Sequence, residues 1–158
     1  MAGRTGTEAA PGAALVRDVY IEARPETVFP FLVEPAKMTR WMGIAAVFEP
    51  RPGGLYRVEV DGENVARGAV IEVSPPRRVV YSFGWEGGEA LPPGASTVTI
   101  TLAAEGTGTR LTLRHEGLPA DLTDAHGDGW DHYAGRLAVA AAGGDAGPDP
   151  WIKTAAAR

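Results

Sequence analysis

The chain contains no cysteine, which excludes disulfides, thiolate metal sites and a cysteine nucleophile. A reducing compartment is therefore allowed, and a cytoplasmic location is expected. No stretch approaches the roughly 20 consecutive apolar residues that cross a bilayer, so membrane insertion is not expected. The opening run M-A-G-R-T-G-T-E-A-A-P-G-A-A has no apolar core of signal-peptide length and is interrupted by Glu8 and Pro11. An excess of positive charge is also missing. The formal net charge is -5, with Arg and Lys scattered, which argues against nucleic acid or an anionic membrane surface as the main partner. There is no Gly-x-Ser-x-Gly elbow, and Ser74, Ser82 and Ser96 lack the turn context of a nucleophile. Pro52-Gly53-Gly54 is followed by no Lys-Ser/Thr pair, so it reads as a turn before a strand rather than a phosphate loop. No cofactor and no catalytic residue is implied.

What remains is a chain of 158 residues with 44% hydrophobic content, enough for one domain with a core or a cavity inside it. Leu15 to Ala23 reads as a first strand and stops at Arg24-Pro25. Proline and Glu26 suit a first helical turn, so a short helix is expected with Val28, Phe29 and Leu32 inward, kept short or bent by Pro30. Glu34-Pro35 repeats the start signal, and Met38, Trp41 and Met42 follow at helical spacing before Gly43. From Ile44 to Leu113 the pattern alternates, and turn signals divide it into about six short strands, which favours an antiparallel meander. From about Ala120 a long helix carries Trp130, Tyr133, Leu137 and Ala141 at spacings of three and four. Gly127, Gly129 and Gly135 weaken it by about 1 kcal/mol each, so packing has to hold it, with close approach to another backbone as the expected reason.

The sequence divides accordingly into residues 1–14 as a disordered arm, 15–142 as the folded domain and 143–158 as a flexible tail, in which Trp151 and Ile152 are placed to dock on the body or on a neighbour. The order strand, two short helices, antiparallel strands, long helix is that of an α+β domain. Four segments in this order, A-R-P-E-T-V-F-P-F-L-V-E-P-A-K-M-T-R-W-M-G (Ala23 to Gly43), P-G-G-L-Y-R (Pro52 to Arg57), the Arg67 to Trp85 hairpin, and H-G-D-G-W-D-H-Y-A-G-R-L (His126 to Leu137), carry a resemblance. They resemble the bacterial homologues of the activator of heat-shock-protein-90 ATPase, within the START-like or SRPBCC superfamily, over about Leu15 to Ala142. The resemblance implies a helix-grip fold, in which a curved sheet wraps a long C-terminal helix around a cavity. Members of that superfamily bind lipids, sterols, polyketides and plant hormones, or act as cyclases.

Within that frame the hairpin R-G-A-V-I-E-V-S-P-P-R-R-V-V-Y-S-F-G-W (Arg67 to Trp85) places Ala69, Ile71 and Val73 on one parity, and Val79, Tyr81, Phe83 and Trp85 on another. Counting back in register puts Arg67 on the apolar face, where its guanidinium needs a partner. Two readings are open: an anchor for an anionic ligand head, or an internal salt bridge or a position at the rim from which the side chain reaches water. His115 shares the inward parity of Leu111 and Leu113. It reads as a neutral histidine hydrogen-bonded at the core edge, or as an acid/base group. Tyr56, Tyr81, Phe83 and Trp85 complete the expected ligand-binding set; Trp41 and Trp130 are expected to be structural. The run Asp121, Asp124, His126, Asp128, Asp131, His132 lies on one helix, whereas metal sites usually draw ligands from several elements, so no metal site is assigned. His126 is expected to hydrogen-bond a loop. The Gly87 to Gly94 loop reads as a lip to the cavity or as an inert connection.

The expected function is binding of a small hydrophobic or amphipathic molecule, whether lipid, polyketide or aromatic acid, with Arg67 and His115 orienting its polar end. Two alternatives stand beside it: a polyketide cyclase or dehydratase using His115 as proton shuttle and Arg67 as enolate stabiliser, and a protein-interaction module that contacts a chaperone. A homodimer is compatible with each.

Overall fold

In the computed structural model, residues 14–153 are described; the expected N-terminal arm and the last five residues lie outside them, apart from Ala14. Strand β1 (Leu15–Ile21) is followed by three helical turns, α1 (Pro25–Val28), α2 (Pro30–Val33) and α3 (Pro35–Met38). Each begins with proline, which supplies the helical φ and lacks an N–H that would otherwise be unpaired. Pro30 divides what the sequence presented as one helix. The strands β2 (Ala45–Phe48), β3 (Leu55–Glu59), β4 (Val65–Ser74), β5 (Arg78–Phe83), β6 (Ser96–Glu105) and β7 (Gly108–Glu116) follow, then a turn of 3-10 helix at Ala120–Leu122 and α4 (Thr123–Ala141). All strands pair antiparallel in one sheet of order β1-β7-β6-β5-β4-β3-β2. This is the helix-grip arrangement: a curved open sheet with the long helix against its inner face.

That inner face is built by alternation. Val98, Ile100 and Leu102 on β6 and Leu111 and Leu113 on β7 are buried, as are Tyr81 and Phe83 on β5 and Tyr56 and Val58 on β3. Trp130, Tyr133, Leu137 and Ala141 of α4 close over them, together with Phe31, Leu32, Met38, Trp41 and Met42 from the helical turns. The Trp41 indole N–H donates to the Phe31 carbonyl at 2.8 Å, and Arg136 of α4 donates to the Trp41 carbonyl at 3.0 Å. The helical turns are thereby fixed to the long helix.

On β4 the structure corrects the parity read from sequence. Ala66 and Val70 face inward, whereas Arg67, Ala69 and Ile71 are exposed. A register shift between Val70 and Glu72 explains the difference: Ile71 is the extra residue of a bulge and is exposed, while Val73 beyond it packs against the core. Ile71 therefore does not share the inner face of Val73, and a count back from it follows the outer face to Arg67. Gly68 is needed at the same place, because a Cβ there would collide with the Ser82 carbonyl oxygen. The reason expected for the helix glycines also fails. A Cβ at Gly127 would meet the side chains of Arg17 and Leu15 rather than a backbone, and at Gly129 and Gly135 it would meet nothing within 4 Å.

The segment after α4, expected as a flexible tail, is packed on the body as far as Lys153. Arg136 donates to the carbonyls of Ala146 and Gly147 at 3.2 and 2.8 Å. The Asp149 carboxylate is buried against α4, and the Lys153 backbone N–H donates to the Asp61 carbonyl at 2.6 Å. The Gly87 to Gly94 loop is likewise anchored: Leu91 is buried, and its carbonyl accepts from the Trp85 backbone N–H.

Candidate functional site

Between the end of α4 nearest its start, the inner face of β5 and the turn after β3 lies a cavity of about 220 Å³. Phe83 and Trp85 enter it from β5 and the residues after it, Trp130 and Tyr133 from α4, and Trp151 from the C-terminal segment; Met42 and Val60 fill the spaces between them. His126, Asp61 and Asn64 supply the polar edges, and Ala125 and Gly129 complete the helical side. Among the described residues, no lysine or arginine lines the cavity.

Phe83 is the centre of the aromatic group. Its ring meets Trp85 edge to face at 5.3 Å and His115 at 4.9 Å, with Trp130 at 6.1 Å and His126 at 6.3 Å. Each histidine accepts a hydrogen bond from a tryptophan. The Trp130 indole N–H donates to Nδ1 of His115 at 3.0 Å, and the Trp85 indole N–H donates to Nε2 of His126 at 3.1 Å. These donors settle the tautomers. An indole N–H can only donate, so Nδ1 of His115 is unprotonated, and the neutral ring carries its hydrogen on Nε2, which donates to Ser96 Oγ at 2.8 Å. The Ser96 hydroxyl then donates to the Phe83 carbonyl at 2.8 Å. In His126 the roles are reversed, and Nδ1 donates to the Leu122 carbonyl at 2.9 Å.

The chain Trp130, His115, Ser96, Phe83 is thus saturated from end to end. Burial pushes the His115 imidazole down to about 3, with the nearby His126 as a lesser cause, so the ring is neutral throughout the physiological range. Although a serine and a histidine stand in contact, they do not form a nucleophile and base: the imidazole nitrogen facing the hydroxyl already carries a proton, and the hydroxyl is committed to a carbonyl.

The expected ligand-binding residues separate into three groups. Phe83 and Trp85 line the cavity. His115 lies behind Phe83, fully buried. Tyr56 and Tyr81 lie deeper, their rings stacked at 3.9 Å and 20°, and are not on the lining. Burial raises the pKa of both phenols, and the interaction between their hydroxyls partly offsets this at Tyr56 and adds to it at Tyr81. Arg67 is on the opposite face of the sheet, where it and Arg57 hold Glu86 at 3.1 and 2.8 Å. Hydrogen bonds from Arg57 and then Arg67 keep the Glu86 carboxyl below its ordinary range. The ion pair foreseen for Arg67 is present, on the outside rather than the inside. A reaction using Arg67 and His115 together has no common site, because the sheet stands between them.

The acidic and histidine run on α4 is divided among separate partners. Asp131 pairs with Arg17 at 2.7 Å, His126 takes Trp85, and His132 contacts Asp149 at 2.8 Å. Sequence reasoning did not assign His126, Tyr133, Val60 or Trp151 to the cavity, and Trp130, expected to be structural, also lines it. Val60 was within reach, since it shares the parity of Tyr56 and Val58, and so were His126 and Tyr133, which share the helical face of Trp130; Trp151 depends on contacts between distant segments.

The family described as activator of Hsp90 ATPase homolog 1-like protein matches residues 22–142. The chain belongs to this family. The solution structure of the AHSA1-like protein RHE_CH02687 from Rhizobium etli is 48% identical, with 90% of each chain covered and a TM-score of 0.71. CalU16 from Micromonospora echinospora is 26% identical over 89% of this chain and 83% of its own, with a TM-score of 0.70. CV1439 from Chromobacterium violaceum, at 23% identity over 86% of this chain and 98% of its own and a TM-score of 0.73, shares the fold. No curated protein matches the chain. For this AHSA1-like chain, then, the match defines the fold and the family, and the chemistry of the cavity has to be read from its own walls.

Proposed function

We propose that this AHSA1-like protein binds a small, largely apolar ring compound in the cavity between the sheet and α4, and that it does so without catalysis. The observation that carries this reading is the cavity itself: about 220 Å³ of space walled by five aromatic side chains, Phe83, Trp85, Trp130, Tyr133 and Trp151. A cavity of about 150 Å³ accommodates benzene, so this one suits about two fused rings. It is smaller than the roughly 300–1,000 Å³ of sites for drug-sized ligands, which disfavours a long acyl chain or an extended polyketide. An anionic head is disfavoured as well, since the lining offers no cation among the described residues and Asp61 stands at its edge. The polar groups nearest the cavity hold structure rather than chemistry, because His115 and His126 both have their two nitrogens engaged.

Titration with 2-naphthol, followed by tryptophan fluorescence and by native mass spectrometry, tests the reading. Saturable binding at one site is expected, with 2-naphthoate binding at least tenfold more weakly. Absence of saturation with both 2-naphthol and indole would contradict it.

A further inference from the structure

The segment from Gly143 to Lys153 lies beyond the residues matched by the family, yet it supplies part of the cavity. We infer that this segment is a strap whose Trp151 forms the outer wall of the cavity and sets the size of ligand admitted. The inference rests on the reading that the cavity binds a ring compound.

Three sets of contacts fix the strap. Arg136 grips its first half through the carbonyls of Ala146 and Gly147. In the middle, Asp149 accepts hydrogen bonds from the Tyr133 hydroxyl at 2.9 Å and from the Trp151 backbone N–H at 2.9 Å, and it contacts His132 Nε2 at 2.8 Å. Its carboxylate is only 2% exposed, so a buried charge is held by three partners, as burial requires. At the far end, Lys153 reaches the turn after β3 through its backbone N–H to the Asp61 carbonyl and through Nζ to Glu63 at 3.0 Å. The strap therefore runs from α4 to the sheet and crosses the side of the cavity that faces solvent.

Trp151 sits between the second and third of these anchors. Its indole stacks on His132 with centroids 3.9 Å apart and planes within 10°, and meets Tyr133 at 5.8 Å. It is 44% exposed while also lining the cavity, which places it at the boundary between the bound volume and water. An indole held there closes the cavity beside Tyr133 and Asp61. Without it the same site opens to solvent, loses an apolar wall and gains room for a longer molecule.

The test compares the full chain with Trp151→Ala and Trp151→Phe, titrated with 2-naphthol and with the longer N-phenyl-1-naphthylamine. The wild-type chain is expected to bind 2-naphthol and to exclude the longer probe. Trp151→Ala is expected to lose about tenfold in 2-naphthol affinity and to admit N-phenyl-1-naphthylamine, with Trp151→Phe between the two. Equal affinities of wild type and Trp151→Ala for each probe would overturn the strap while leaving the cavity reading intact; failure of every variant to bind either probe would overturn both. Amide exchange supplies a readout that needs no ligand: Asp149→Ala is expected to raise exchange at residues 147–153 while α4 stays protected. Unchanged exchange in that variant would overturn the strap.

Discussion

The bond between Trp130 and His115 and the bond between Trp85 and His126 are nearly the same bond made twice, an indole N–H donating to an imidazole nitrogen at 3.0 and 3.1 Å. Their surroundings differ. His115 is fully buried and continues into Ser96 and the Phe83 carbonyl, whereas His126 is half-buried, bonds the start of α4 and lines the cavity. Phe83 lies between the pairs and touches all four rings. Both pairs join the sheet to α4, and Trp130 shares the cavity wall with Trp85 and His126, but His115 lies behind that wall and holds structure alone. The lesson is that residue type and even hydrogen-bond geometry leave the role of a histidine open, and that burial and the destination of its second nitrogen decide it.

The two pairs differ most in what the loss of His115 would do. His115→Ala leaves the Trp130 and Ser96 polar groups without their partner and opens a void, at a cost of about 4 kcal/mol. Thermal unfolding should fall by roughly 8–16 °C, and an unchanged midpoint would show that the chain of bonds is not structural. Acidification acts on the same residue more gently. Because the folded pKa of about 3 lies below the unfolded value of 6.5, the unfolded chain binds more protons between them. Stability is therefore full above pH 6.5 and is lost as pH falls toward 3, by up to about 1.4 kcal/mol per pH unit. Urea unfolding at pH 6.5 and 5 should differ by about 2 kcal/mol on this account, and His115→Gln should flatten that dependence. Asp149 adds its own loss at lower pH. Burial alone would raise its carboxyl, but the Trp151 backbone N–H, His132 and Tyr133 outweigh burial and hold it below the ordinary range, so its contribution disappears only as pH falls through that lowered value.

At the other pair, His126→Ala should cost only about 1–2 kcal/mol of stability, because the residue is half-buried, while weakening 2-naphthol by about tenfold. A variant that lost stability without losing affinity would remove the distinction between the pairs. Arg67→Ala should have the smallest effect. Its pair with Glu86 is on the exposed face of the sheet, so the melting temperature should move by no more than about 2 °C and the affinity not at all. A marked loss of affinity would return Arg67 to the site.

The fold was legible in the sequence where punctuation and period agree. Proline starts for the helical turns, alternation on β6 and β7, and the helical spacing of Trp130, Tyr133 and Leu137 all recur in the structure. The inward direction of His115 followed from Leu111 and Leu113 on the same strand. Arg67 did not follow, because the bulge at Val70 leaves no mark in a strand whose two faces both carry aliphatic residues. Trp151 was also beyond reach as a wall of the cavity. Its position depends on Asp149 meeting His132 and Tyr133 across 17 and 16 residues, contacts that a glycine- and proline-rich segment does not announce.

The most direct test of the cavity is to fill it. Gly129 lines it from α4, and a Cβ there meets nothing within 4 Å, so Gly129→Leu directs an apolar side chain into the space and gains about 0.8 kcal/mol of helix propensity. This variant is expected to melt about 2–4 °C higher than wild type and no longer to bind 2-naphthol; binding of 2-naphthol with wild-type affinity would contradict the cavity as the ligand site.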